Sequence, residues 1–284
     1  MRSSSSSSSI PLSDVSGVRI SCDAVATNAR RASSWRSSAF VATASHELRT
    51  PLTSLSGMLE LLDEDLTEGR LDVADAHHQI VSARGELRRL GNLAAELLDL
   101  SRLDAGVPLR SEPVELGELT RAVASEFEQR ARELGVTIDV VPPIGPVWAK
   151  GDPGAIARIL RILLDNALRF SPDGEAIRVA AHYSGEQALL EVADRGPGVP
   201  SSERELIFER FQRGSRTGGE GGFGLGLAIG RELAGRLGGT LELRESDRSY
   251  PGAWFACGLP VELPAGGGAP DPQARGAALG GRPT

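Results

Sequence analysis

Between residues 40 and 66 the apolar residues Phe40, Ala44, Leu48, Leu52, Leu55, Leu59, Leu62 and Leu66 recur in steps of three and four. That spacing lines one face of an amphipathic helix, and such a face needs a partner. Residues 67–70 break the pattern; Ile80, Ala83, Leu87, Leu90, Ala94 and Leu97 restore it, predicting a second helix that ends near Leu103. Two long helices joined by a short break form an antiparallel hairpin. A lone hairpin leaves an apolar stripe uncovered, so the pattern predicts a symmetric homodimer closing a four-helix bundle. Pro51 falls inside the first helix, where it removes the hydrogen bond to residue 47 and predicts a kink.

Residues 104–113 carry a glycine and two prolines and mark a domain boundary. Beyond it the periodicity changes. A helix is predicted over about 116–133, then β-like runs at 136–141 and 147–149, and a second helix over about 154–170. Strands follow at 176–183 and 188–193 with a Ser-Gly-Glu turn between them, and at 240–244 and 254–259; a last helix covers about 226–237. Helices grouped with antiparallel strands predict a two-layer α/β sandwich. The fold class is therefore α+β and multidomain. The chain divides into a Ser-rich disordered start (1–35), a helical domain (36–104), a linker (105–113), a sandwich domain (114–263) and a Gly- and Pro-rich disordered tail (264–284).

The 284 residues carry 31 Lys+Arg against 38 Asp+Glu, a formal charge of −7 that argues against a nucleic-acid surface. Only 4% of residues are aromatic, so the cores rest on aliphatic side chains. Cys22 and Cys257 are too few and too far apart for a metal knuckle and read as ordinary reduced thiols. No stretch approaches the roughly 18 consecutive apolar residues of a membrane span. A cytoplasmic location is expected, with any membrane association coming from an upstream region or a partner. His77 and His78 are adjacent on a helix and point apart, which argues against shared chelation; His182 lies in a predicted strand with no acid or cysteine ligands expected nearby, and the tryptophans read as packing.

His46 lies off the apolar stripe of the first helix, beside Glu47, with Thr50 one turn further on. Alone, a surface His-Glu pair reads as solvated. The whole string Ser45-His46-Glu47-Leu48-Arg49-Thr50-Pro51, however, resembles the phosphoacceptor box of the sensor histidine kinases of two-component systems. Further along, Asp194-Arg195-Gly196-Pro197-Gly198 follows a strand, and its alternate glycines let backbone approach a ligand closely. It resembles the first glycine box of the Bergerat ATP-binding fold, in which the aspartate accepts from the adenine amino group. Gly222-Phe223-Gly224-Leu225-Gly226 opens a helix whose free amides could hold phosphate, and is similar to the second glycine box. No P-loop spacing occurs.

The segment 163–170 resembles the asparagine box of the same family. The resemblance implies that Asn166 reaches magnesium between the phosphates, that Arg169 meets phosphate oxygens, and that Phe170 and Leu225 line the nucleotide. Arg213 and Arg216, in a glycine-rich stretch at the position of the ATP lid, are implied as phosphate contacts. Residues 207–211 are similar to the phenylalanine box. One departure is Ile162, where many members carry a second asparagine.

The resemblance implies a helical hairpin dimerisation domain followed by a Bergerat-fold catalytic domain. It implies ATP and Mg2+ as cofactors, phosphoryl transfer from ATP to His46 with Glu47 as general base, and onward transfer to an aspartate of a response regulator. Thr50 is implied in dephosphorylating that regulator. An upstream sensory partner is expected, because only 39 residues precede Phe40. Two other readings stay open: a degenerate kinase serving as an ATP-binding scaffold, for which Ile162 speaks, and a Bergerat-fold serine kinase, which would not need the His46 helix.

Overall fold

A computed structural model of the chain describes residues 36–264 apart from 71, 213, 216–221 and 247. The chain forms two compact units, divided between Ala105 and Gly106.

The first unit is a hairpin of α1 (Arg36–Thr67) and α2 (Val73–Asp104). Asp72 starts α2 by accepting from Ala74 N at 2.7 Å and Asp75 N at 3.2 Å, satisfying donors that the first turn leaves free. The helix α1 runs through Pro51 without interruption. Ala44, Pro51 and Leu55 are buried on α1, and Ala83, Leu93, Leu97, Leu100 and Leu103 on α2. The expected stripe of α2 is thereby split. Ala83 and Leu97 are inside, but Ile80 is 49% and Leu87 58% exposed, and Leu93 and Leu100 take the fully buried places. The reason is that α2 has apolar residues on two faces, and a hairpin covers one of them.

In the second unit, β1 (Glu112–Glu115) pairs antiparallel with β3 (Trp148–Gly151). Residues 112 and 113, read above as linker, are therefore strand. The main sheet has the order β2-β4-β5-β7-β6, from β2 (Thr137–Val141), β4 (Ala176–Ser184), β5 (Gln187–Ala193), β6 (Thr240–Arg244) and β7 (Trp254–Pro260). Three pairings are antiparallel, but β2 and β4 run parallel, because the intervening helix returns the chain to the same end of the sheet. A purely antiparallel sheet was expected.

Three helices cover one face: α3 (Leu116–Glu133) on β2 and β4, α4 (Pro153–Phe170) on β5, and α5 (Gly226–Arg236) on β6 and β7. The core is aliphatic, with Ile156, Ile159, Leu160, Leu163 and Leu164 of α4 facing Ile177 and Leu190 of the sheet layer, all fully buried. Cys257 lies in this core, and burial pushes its thiol up to about 12. On β4, Ile177 and Val179 alternate with Arg178 and His182, so the other face of the sheet carries polar groups. There the expectation for His182 fails. The β4–β5 register pairs Ala180, two residues before His182 on the same face, with Glu191 and brings Glu191 Oε2 to 3.9 Å from His182 Nδ1. Burial raises the Glu191 carboxyl above its ordinary value and lowers His182 below its own. Among the described residues no helix is long and apolar enough to cross a membrane.

Candidate functional site

The second unit gathers the glycine-rich motifs at one end of the sheet layer. Asp194 follows the last residue of β5 and is only 3% exposed. Its Oδ1 accepts from Gly196 N at 2.8 Å and from Ala253 N at 3.0 Å. Burial raises its carboxyl above the usual range, and these two main-chain donors oppose the shift without cancelling it. A carboxylate so placed is held still, with both bonds on one oxygen.

The glycines around it are required by space. A Cβ on Gly196 would lie 2.5 Å from the Phe170 carbonyl oxygen, so the C-terminal end of α4 abuts this loop directly. A Cβ on Gly252 would lie 2.1 Å from Asp194 Oδ1 and 2.5 Å from Gly196 N. Gly252 and the Ala253 amide were not found in the sequence, where Tyr-Pro-Gly before a strand reads only as a turn. Gly198 has φ +69°, a conformation that favours glycine.

On α4, Asn166 is half-buried and Arg169 exposed. The Arg169 guanidinium reaches the second glycine motif: a Cβ on Gly222 would lie 2.9 Å from both of its terminal nitrogens. Asp165, next to Asn166, is paired with Arg130 of α3, which fixes that carboxylate on the outer side of the helix pair. Ile162 is 5% exposed, and its side chain would be 3.9 Å from a Cβ on Gly230 of α5. It is part of the contact between the two helices.

Leu225 precedes α5 with no side-chain cap, so the first amides of that helix, beginning at Gly226, are not satisfied by a capping side chain. Leu225 itself is fully buried. Gly224, at φ +72°, accepts from Phe211 N at 2.8 Å, which ties the phenylalanine motif to the second glycine motif. Phe211 has φ +62°, strained for a bulky side chain. Phe208 is buried edge-on against Phe255, with ring centroids 6.2 Å apart. Arg213 and Arg216 lie outside the described residues.

In the first unit, the His46 side chain is 75% exposed, with Nδ1 3.9 Å from Glu47 Oε1, beyond hydrogen-bonding reach. Thr50 Oγ1 donates to the His46 carbonyl at 3.3 Å. Among the described residues no three His, Cys, Asp or Glu side chains gather to hold a metal.

Comparison with known proteins agrees with this division. The family described as His Kinase A (phospho-acceptor) domain matches residues 36–106, and the Histidine kinase-, DNA gyrase B-, and HSP90-like ATPase family matches 151–263. The Mycobacterium bovis protein "Signal transduction histidine-protein kinase/phosphatase MprB" is 34% identical over 253 residues, 88% of this chain and 48% of that protein. The chain thus spans about half the length of the mycobacterial relatives it matches. Full-length ShkA, solved in complex with AMPPNP, is 30% identical, covering 78% of this chain and 45% of that one, with a TM-score of 0.52. Histidine kinase ThkA, solved in complex with response regulator protein TrrA, shares the fold at 22% identity, covering 78% of this chain and 61% of that one, with a TM-score of 0.63. With a phosphoacceptor helix in one unit and a histidine-kinase ATPase fold in the other, the chain belongs to the two-component sensor histidine kinases.

Proposed function

We propose that this chain is an ATP-dependent autokinase that transfers the γ-phosphoryl group of ATP to His46 and from there to an aspartate of a response regulator. The observation that carries this reading is Asp194, a buried carboxylate fixed through one oxygen by Gly196 and Ala253 and walled by glycines where no Cβ fits. Its second oxygen is the acceptor for the adenine amino group. Phe170 abuts the same loop, and Arg169 stands at Gly222, where the phosphates would run toward the amides before and within α5. Gly222, Gly224 and Gly226 let that backbone approach them closely.

Magnesium bound with the nucleotide would neutralise charge between the phosphates, and the Asn166 side-chain oxygen is the hard donor placed to hold it. His46 supplies the nucleophile: an exposed imidazole nitrogen attacks phosphorus, ADP leaves, and the N–H proton passes to Glu47 or to water. For Glu47 to take that proton, a rotamer change would have to close the 3.9 Å between it and His46. Thr50, on the same helix face one turn away, is the residue that would position water when the regulator is dephosphorylated. The partners are a second copy of the chain, a receiver domain, and an upstream sensory region or protein. Arg213 and Arg216 would contact phosphate. Ile162, the feature that favours the scaffold reading, is 5% exposed and packs toward Gly230 of α5; the labelling experiment below separates the two readings.

The test is incubation of the full chain with γ-labelled ATP and magnesium beside His46→Ala. Acid-labile, alkali-stable label that disappears with His46 is expected. Label that survives the loss of His46, or none despite measured ATP binding, would reject the reading.

A further inference from the structure

The loop between β6 and β7 buries one large side chain before it reaches the nucleotide site. Glu245, Ser246, Arg248, Ser249 and Pro251 are exposed, whereas Tyr250 is only 9% exposed. Two guanidinium groups lie over its ring, with Arg195 Cζ 5.2 Å and Arg178 Cζ 5.9 Å from the ring centroid. Both fall within the roughly 6 Å over which an aromatic face attracts a cation, and the attraction grows as the cation loses water. Arg178 is partly in that state, since its Nε is buried with no hydrogen-bond partner. Arg195 is itself held by Glu175 Oε2 at 2.9 Å.

The two arginines flank Asp194 in the fold. Arg195 follows it in sequence, and Arg178 of β4 pairs in register with Ala193, which precedes it. Tyr250 thus fastens its loop on both sides of the buried carboxylate. The next residues of the loop form the wall of the site. Asp194 N donates to the Ala253 carbonyl at 2.9 Å, Ala253 N donates to Asp194 Oδ1 at 3.0 Å, and a Cβ on Gly252 would lie 2.1 Å from the same oxygen. The Pro251 and Gly252 carbonyl oxygens approach Gly198, at 3.3 and 3.4 Å from a Cβ placed there. Gly252 has no side chain and Ala253 only a methyl, so the wall takes its position from its neighbours, Trp254 in β7 and Tyr250 in the loop. Arg178 also acts electrostatically on Glu191 and His182 of the same sheet face, which makes Tyr250 the residue whose change tests the loop.

We propose that Tyr250 is a positioning residue for base recognition: its ring, held by Arg178 and Arg195, sets the Gly252 and Ala253 wall that fixes Asp194 Oδ1, and thereby the preference for adenine over guanine. This rests on the reading of Asp194 as acceptor for the adenine amino group. Guanine carries a carbonyl oxygen at that place, which a carboxylate held still repels and one free to turn rejects less.

The experiment measures ADP and GDP affinities of the full chain with magnesium, by competition against a fluorescent ADP analogue, for wild type, Tyr250→Ala and Tyr250→Phe. Wild type should prefer ADP. In Tyr250→Ala that preference should shrink about fivefold or more, since a hydrogen bond to a charged group is worth about tenfold or more in affinity. Tyr250→Phe keeps the ring and should keep the preference. Partial unfolding lowers the competent fraction for both nucleotides alike and leaves their ratio unchanged, so the ratio reads Asp194 rather than stability. If Tyr250→Ala is unfolded at the assay temperature, Tyr250→Leu, which fills the space without a π face, takes its place. An unchanged ratio in that variant, or a Tyr250→Phe chain as impaired as it, would overturn the proposal while the Asp194 reading stands. A wild type that binds ADP no better than GDP would overturn the Asp194 reading and this proposal with it.

Discussion

Asp194 sets stability against recognition within one side chain. Its folded pKa is raised by burial, so the folded state holds that proton more tightly than the unfolded chain does. The sign follows: this group favours folding below its unfolded value, the advantage fades as pH rises through the raised folded value, and above that the carboxylate is a net cost. Asp194→Asn keeps an oxygen for the Gly196 and Ala253 amides without the charge, so thermal unfolding near neutral pH should occur at an equal or higher temperature. The amide nitrogen, however, presents donors where the adenine amino group also donates. A lost hydrogen bond to a charged group is worth about 1.5–3 kcal/mol, so ATP affinity should fall roughly tenfold to a hundredfold. In the unaltered protein, affinity should decline on the acid side from a pH above the ordinary carboxylate range. A calorimetric ATP titration giving the Asn variant wild-type affinity would remove Asp194 from adenine recognition. Gly252→Ala tests the opposite wall: its methyl would enter at 2.1 Å from Asp194 Oδ1, and overpacking of this kind costs about 1–3 kcal/mol. Both a lower melting temperature and weaker ATP binding are expected. Asp194 was legible in sequence because strand, acid and spaced glycines lie together, whereas Gly252 acts across 58 positions of chain, a contact that no local pattern displays.

Among the elements, helices that carry their own start signals were the readable ones. Glu115 accepts from Gly117 N and Val147 N, and α3 begins right after it, where the pattern put it. For α4 the reading began at residue 154, one late, although Asp152 followed by Pro153 is a cap before a first-turn proline. The parallel β2–β4 pairing and the burial of Glu191 beside His182 depend on register between strands, which hydrophobic alternation does not encode. The cap offers an element-scale prediction. Asp152 accepts from Ala155 N at 3.0 Å and from Arg110 N at 3.0 Å, joining the start of α4 to the segment before β1. Partial burial pushes its carboxyl up, but the backbone donors of Arg110, Ala155 and Gly154 together hold it below the ordinary value. A depressed folded pKa means that the stabilisation is present above the unfolded value and is lost as pH falls through the folded one. Asp152→Ala should therefore cost about 1–2 kcal/mol in urea unfolding at neutral pH, with the difference from wild type shrinking below about pH 4. A difference independent of pH would mean that the charge contributes nothing.

At the scale of the whole molecule, the hairpin of the first unit leaves large aliphatic side chains uncovered among the described residues. Ile80, Leu87 and Leu98 on α2 are 49%, 58% and 53% exposed, and their separations of seven and eleven residues are close to whole helical turns, so they share one stripe. Leu59 and Leu66 of α1 are 60% and 66% exposed at a step of seven. A row of large aliphatic side chains on both helices of a two-helix unit would form the seam of a bundle, and a second copy would supply the matching stripe by symmetry. Leu87→Glu would place a carboxylate from each copy in that apolar seam, where an unpaired charge is expensive enough to separate the copies. Sedimentation equilibrium should show a dimer for the wild type and a monomer for Leu87→Glu at the same concentration. Leu61→Glu, equally exposed at 54% but over half a turn from Leu59, should remain dimeric. ATP binding should persist in both variants, since the residues around Asp194 belong to the other unit. A Leu87→Glu chain that stays dimeric with ATP binding intact would locate the association surface outside the hairpin stripe.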